Sequence, residues 1–370
     1  MKYIGFYDTQ TGRRSMCFAA TNKMNYICKA LNQQGFPVEI IACGMIAKEA
    51  IPATTEQIYP QTEVQYFKTK KSSRNKLLRI WNVLRQSIVL FWYLVTQIKH
   101  NEIVLSYHSL SLMRVMFWAK KVKKFRLVLE VEECYNDVYL RSQASKKMEE
   151  KYIASADAYI FATQLLNQKY NQSGKPYVII HGTYQVEEVK DVSFDDDNKI
   201  HVVYAGTFDP RKGGAYAAIE AMQYLPEQYH LHVLGFGSQK EVAEVKALVE
   251  TMPNASYDGL LSGDAYTEFL QKCHIGLSTQ NPEGDFNATS FPSKILSYMA
   301  NGLRVVTVRI PAVETSAIGA DMHFYDRQTP QEIAKAIMQV NLEDGYDSRK
   351  RLQELNEMFC NRIKKMMGEI

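Results

Sequence analysis

The chain runs to 370 residues, with 46% hydrophobic and 23% charged side chains and a formal net charge of +4. That length suits two cores better than one, that composition excludes global disorder, and so small a positive charge excludes the concentrated basic face that nucleic acid requires. The six cysteines (Cys17, Cys28, Cys43, Cys134, Cys273, Cys360) form no Cys-x-x-Cys pair, which disfavours a disulfide framework and a structural zinc site and makes a reducing cytoplasm the expected home.

In chain order, residues 3–7 read as a first strand, 8–15 as a loop around Gly12, 18–33 as a helix stopped by Gly35, and 38–42 as the next strand. This is the parallel crossover unit, whose first loop faces the end of the sheet where clefts open. No apolar run at the start has the form of a signal peptide. Between 68 and 99 the composition changes. Lys68, Lys70, Lys71, Arg74, Lys76 and Arg79 precede Trp81, Leu84, Ile88, Phe91, Trp92 and Tyr93, and a second basic cluster follows at Lys120, Lys121, Lys123, Lys124 and Arg126. A basic start before an aromatic-rich helix fits a segment resting on an anionic membrane, and it also fits a core helix behind a solvated loop. The eight apolar residues 88–95 fall short of the roughly 20 needed to span a bilayer.

Further strands are expected at 103–107, 126–131, 156–163 and 177–180, with a short helix at 164–170. His108 and Glu130 to Glu133 fall at strand ends, where a cleft lining is expected. The acid-rich stretch 186–199 reads as a linker between an N-terminal domain, 1–185, and a C-terminal domain, 200–345. Asp195, Asp196 and Asp197 within it read as a solvated loop rather than a metal site. The alternation restarts with strand 201–205, loop 206–214, helix 215–225 and strand 230–234. Gly206, Gly213 and Gly214 flank Arg211 and Lys212 at a helix start, which suits phosphate oxygens and equally a solvated turn. Gly235-Phe236-Gly237 lacks the third glycine of a dinucleotide fingerprint. Helix 239–251, strand 255–259, helix 264–271 and strand 275–278 continue the pattern. Helices at 330–340 and 348–367 close the chain, the segment 346–370 returning to the first domain.

The most informative stretch is 290–308, SFPSKILSYMANGLRVVTV. Pro292 suits a first helical turn, Ser290 or Ser293 a cap, and Gly302 the left-handed position that stops the helix before a buried strand. Lys294 in the first turn opposes the helix dipole, and a bound anion would reverse that sign. An ammonium bent out to solvent is the alternative.

The segments YAGTFDPRKGG at 204–214 and FPSKILSYMANG at 291–302 resemble the retaining glycosyltransferases of the family-four type, which have the GT-B fold. The likeness is close over 200–320 and looser in the first half, where His108 and ADAYIFAT at 156–163 fall in the expected order. It implies two Rossmann-like doubly wound α/β domains facing across a cleft. It also implies transfer of a hexose-type sugar from a nucleoside diphosphate sugar, UDP-linked rather than GDP-linked, with retention. The acceptor would be a saccharide or lipid-linked glycan in surface polysaccharide assembly, at the inner face of the plasma membrane. No metal or other cofactor is implied, since lysines and a helix end neutralise the leaving diphosphate. By that likeness Lys212 matches the family's phosphate-gripping Lys, Thr207 stands where its Arg is usual, and Arg211 is placed to compensate. Lys294, Ser290, Ser293 and Gly206 complete the phosphate seat. Gly12 approaches the sugar, and His108 lines the acceptor side as a catalytic candidate beside Arg211 and Lys212. The family's paired glutamates are replaced by Thr289 and Ser297, with Glu283 and Asp285 as possible sugar contacts. The competing readings are a catalytically weak sugar-nucleotide-binding partner subunit and a sugar-nucleotide 2-epimerase on the same fold.

Overall fold

The computed structural model describes residues 1–10, 18–43, 46–47, 50–71, 75–135, 142–194, 198–284, 287 and 289–370. Two compact units emerge, Met1–Thr183 with Met358–Ile370, and Tyr184–Glu357.

In the first unit, the short apolar runs at the centre of the sheet become strands that are buried on both faces, as parallel sheets demand. The strands are β1 (Lys2–Gly5), β2 (Val38–Ala42), β3 (Ile46–Ala47), β4 (Thr54–Tyr59), β5 (Thr62–Tyr66), β6 (Lys70–Lys71), β7 (Ile103–Tyr107), β8 (Arg126–Val131), β9 (Ala158–Phe161) and β10 (Tyr177–Ile179). Eight of them form one sheet in the order β10-β9-β8-β7-β1-β2-β5-β4, parallel throughout except where β4 runs antiparallel to β5; β3 and β6 pair separately. The helix Phe18–Gln33 buries Met24, Ile27, Cys28 and Leu31, a three-and-four spacing that lays one face on the sheet. The β4–β5 hairpin carries no sequence signal of the kind used above, because β4 is a polar, largely exposed edge. The sheet order reverses between β1 and β7, so His108, directly after β7, sits at the switch point.

The second unit repeats the design with β11 (Ile200–Thr207), β12 (Tyr229–Phe236), β13 (Ala255–Gly259), β14 (Ile275–Ser278), β15 (Arg304–Val308) and β16 (His323–Tyr325). All six are parallel, ordered β13-β12-β11-β14-β15-β16. The switch point lies between β11 and β14. Stretch 186–199, read above as a linker, is tied to this unit where it is described. The Glu187 N–H donates to the Ala300 carbonyl at 3.1 Å, and Lys190 pairs with Glu268 at 2.9 Å. Asp195, Asp196 and Asp197 lie outside the described residues. The last helix, Ser348–Glu369, begins in the second unit and ends in the first.

Candidate active site

At a switch point, the loops after the two diverging strands leave toward opposite faces and open a crevice at the strand ends. In the second unit the loop after β11 runs from Phe208 to Gly213 and enters the helix Gly214–Ala221. It is fastened to the loop after β14: the Thr279 hydroxyl donates to the Gly214 carbonyl at 2.7 Å, and the Asn281 N–H donates to the Lys212 carbonyl at 2.8 Å.

The helix Lys294–Ala300 closes the crevice from behind. It buries Ile295, Leu296, Tyr298 and Met299, and the Tyr298 hydroxyl accepts from the Ala205 N–H at 2.8 Å while donating to the Leu277 carbonyl at 3.2 Å. One phenol therefore fixes the helix to both switch-point strands. Gly302, at φ 90°, stops the helix in the left-handed region before β15. The start differs from the sequence reading. Ser293 adopts helical angles (φ −57°, ψ −23°) and its side chain accepts no capping bond, whereas a capping residue stands in the extended region. The helix thus begins at Lys294, two residues after Pro292.

Lys294 is the centre of the site. Its Nζ lies 3.9 Å from the centroid of the Tyr204 ring, a cation–π contact, and a Cβ on Gly206 would come within 2.8 Å of that Nζ and displace it. Glycine at 206 therefore lets the ammonium reach the end of β11. Among the described residues Lys294 has no carboxylate partner. Burial first, and the Lys212 charge second, pull its ammonium down to about 7. Lys212 itself is exposed.

Arg211 is arranged otherwise. Its Nε and Nη2 grip the two carboxylate oxygens of Asp209 at 3.1 and 2.8 Å, and the side chain is exposed. That grip holds Asp209 below its usual carboxylate range and turns the guanidinium to its own loop. Thr207 is exposed, Ser290 half-buried and Thr289 buried. Ser297 shares a hydrogen bond of 3.2 Å with Tyr266, and Glu283 is exposed beyond Asn281. Gly12 and Asp285 lie outside the described residues.

In the first unit His108 is not an open cleft lining but a buried side chain, 1% exposed. Its Nε2 lies 3.2 Å from Glu149, its Nδ1 3.2 Å from the Glu133 carbonyl, and Tyr135 and Tyr152 flank the ring. The strand end was given to it by the sequence pattern; the aromatic and carboxylate neighbours come from elements the pattern could not join. Glu130 is likewise buried, hydrogen-bonded by Tyr3, and burial and the Glu132 charge raise its carboxyl well above the usual range. Lys23 pairs with Glu132 and donates to the Ile180 carbonyl at 3.0 Å. Sequence reasoning passed over Tyr204, whose ring seats Lys294. The signal was present in its place on the same strand, two residues before Gly206.

Residues 199–342 match the family described as Glycosyl transferases group 1. That segment is a glycosyltransferase domain. Among curated proteins, none matches this chain. Three solved structures match the chain along almost all of its length. A trehalose-6-phosphate protein of E. coli bound with UDP-2-fluoro glucose has a TM-score of 0.70 at 9% identity, covering 100% of this chain and 98% of that one. The Anabaena HepE protein in complex with UDP and glucose has a TM-score of 0.63 at 15% identity, covering 100% and 98%. A glycosyltransferase of Rickettsia africae has a TM-score of 0.63 at 13% identity, covering 100% and 97%. The fold is GT-B, as expected, and the glycosyltransferase match falls within its second unit.

Proposed function

We propose that this glycosyltransferase moves a hexose-type sugar from a nucleoside diphosphate sugar to a saccharide or lipid-linked acceptor, with retention, in the assembly of a surface polysaccharide or related glycan. The observation that carries the reading is Lys294, a half-buried side chain whose ammonium lies over the Tyr204 ring against Gly206 at a strand end, without a carboxylate among the described residues, beside a second lysine and a glycine-bordered loop. Such a place is costly when empty and favourable around a diphosphate. In the reaction the bond from the anomeric carbon to the diphosphate oxygen breaks, a bond to the acceptor oxygen forms and the acceptor gives up its proton. Negative charge gathers on the diphosphate as it leaves, and Lys294 and Lys212 stand to neutralise it, the type of interaction that usually contributes most to catalysis. UDP is preferred over GDP because UDP or a UDP-sugar occupies two of the structurally similar proteins. His108, enclosed by Tyr135, Tyr152 and Glu149, is given a positioning role and no contact with substrate.

The test is calorimetric titration of the full chain with UDP and GDP, followed by hydrolysis of a panel of UDP-hexoses. UDP should bind about tenfold tighter than GDP, and at least one donor should turn over, releasing its sugar in the anomeric configuration of the donor. Absence of binding by either nucleotide overturns the reading, and an inverted product overturns retention. Thr289 and Ser297, hydroxyls where the family resembled above has carboxylates, favour a weak binding subunit as the second reading. UDP binding with no turnover on any donor selects it.

A further inference from the structure

The helix Lys76–Gln97 is amphipathic inside out. Its buried positions recur every four residues as Asn82, Gln86, Leu90 and Leu94, so its first two inward positions are polar. On the opposite side Leu77, Trp81, Leu84, Ile88 and Trp92 recur at spacings of four, three, four and four, which is one straight stripe along an α-helix, and all five are exposed. The helix Met113–Lys123 packs beside it and buries Met113, Met116 and Ala119, while Trp118 and Val122, four apart, are exposed. The chain has three tryptophans, and all three are here: Trp81 is 57%, Trp92 60% and Trp118 55% exposed. An ordinary surface leaves large apolar side chains exposed singly, whereas a row of them marks a face that is covered in use.

Charge says what covers it. Residues 64–129 hold fourteen of the chain's 44 lysines and arginines and a single acidic residue, Glu102, of its 40. The modest net charge of the whole chain therefore hides a strongly basic segment set against an acidic remainder. Beside Trp118, Lys121, Lys124 and Arg126 line a cavity of about 360 Å³ with Phe117, where Lys120 is paired with Asp157, and the Lys121 ammonium stands 5.1 Å from the Trp118 ring centroid. Among the described residues no helix is long and apolar enough to cross a membrane.

We infer that the outward faces of these two helices dock on an anionic membrane surface. Tryptophan prefers the boundary between headgroups and acyl chains, aliphatic neighbours enter beneath it, and the lysines meet the lipid phosphates. A second copy of this chain would bring one basic segment against another, so charge favours lipid over self-association. The proposal is independent of the donor and the acceptor.

The three tryptophans make the test direct, because tryptophan emission, excited selectively over the 23 tyrosines, reports this face alone. With vesicles of phosphatidylcholine containing phosphatidylglycerol at low salt, the protein should float with the lipid, its emission should shift to the blue, and acrylamide should quench it less. Binding should fall at least about tenfold when the ionic strength is raised from 0.05 to 0.5 M. The variant Trp81→Ser/Leu84→Ser/Trp92→Ser, altered only at outward positions, should keep the helical circular dichroism and melting temperature and lose flotation. Retention of the protein in the soluble fraction with these vesicles overturns the proposal. So does equal flotation with pure phosphatidylcholine, and so does a stable dimer whose emission is already blue-shifted without lipid.

Discussion

At the ends of the first unit's central strands, the buried Glu130 carboxyl is hydrogen-bonded by Tyr3, while Lys23 pairs with Glu132 and reaches the Ile180 carbonyl. At the switch point of the second unit, Lys294 lies over Tyr204 near a second lysine, with no carboxylate partner among the described residues. Two sheets of the same parallel design thus hold a lysine paired with a carboxylate in one unit and an open cation in the other. The Lys23–Glu132 pair offsets part of its desolvation within the fold; around an open charge it persists until an ion of opposite sign arrives. The first arrangement serves stability and the second serves a ligand, so substitutions in the two should fail in different assays.

The largest effect is expected at the open cation. Lys294→Met should lower kcat/KM for UDP-sugar hydrolysis by about 100- to 1000-fold, the usual loss when one group stabilising developing charge is removed. Its melting temperature should hold or rise, since the substitution removes a partly desolvated ammonium that has no carboxylate among the described residues. A variant that melts lower and keeps its turnover would make Lys294 a structural residue. Next in size is Lys23→Met, which leaves Glu132 unpaired beside the buried Glu130. It should cost about 2 kcal/mol in urea denaturation, below the penalty for a fully buried pair because the Glu132 side chain is 28% exposed. UDP affinity of the folded protein should stay within about twofold. A loss of affinity with full stability would show that this pair also serves the ligand.

The comparison also shows what could be read from the chain itself. Strands β7, β8, β11 and β15 were legible because a buried parallel strand is a short apolar run, and the Gly302 stop because few residues tolerate φ 90°. Lys212 and Lys294 were legible as charges beside glycines and a helix start. The edge hairpin at β4 and β5 was silent, being polar on its exposed face. So was the division of roles between the units. Nothing local to Lys23, on a helix, says that it meets Glu132, which is 109 residues away, and nothing local to Arg211 says that Asp209 takes it in two places. Spacing places residues on elements; pairing across elements awaits the fold.

A change of pH should sharpen the contrast by a smaller factor. The free Lys294 ammonium titrates at about 7, below its ordinary value of 10.5, and a bound diphosphate would raise it again. The ammonium form is therefore half populated at about pH 7, nearly complete about one unit lower and declining above, so affinity for a UDP-sugar should fall by up to about tenfold per pH unit between 7.5 and 9. Titration in buffers of different ionisation enthalpy should show proton uptake on binding across the same window. Lys294→Met should flatten both. A pH-independent affinity in the wild type would mean that the ammonium is already charged, and the second unit would then resemble the first in having answered its charge internally.

The smallest effect is expected at Arg211, the residue whose charge looks most available in the sequence. In the fold it is committed to Asp209, and an exposed ion pair is worth little to stability. Arg211→Ala should therefore change UDP affinity by no more than about threefold and leave the melting temperature in place. Asp209→Asn is the more telling substitution, because it releases the guanidinium on a short loop beside Lys212 without altering its charge. UDP binding should then tighten by a few-fold, and the gain should vanish in Asp209→Asn/Arg211→Ala. If Arg211→Ala alone proved as damaging as Lys294→Met, the Asp209 grip must open whenever the diphosphate enters. The second unit would then hold a guarded cation as well as an open one.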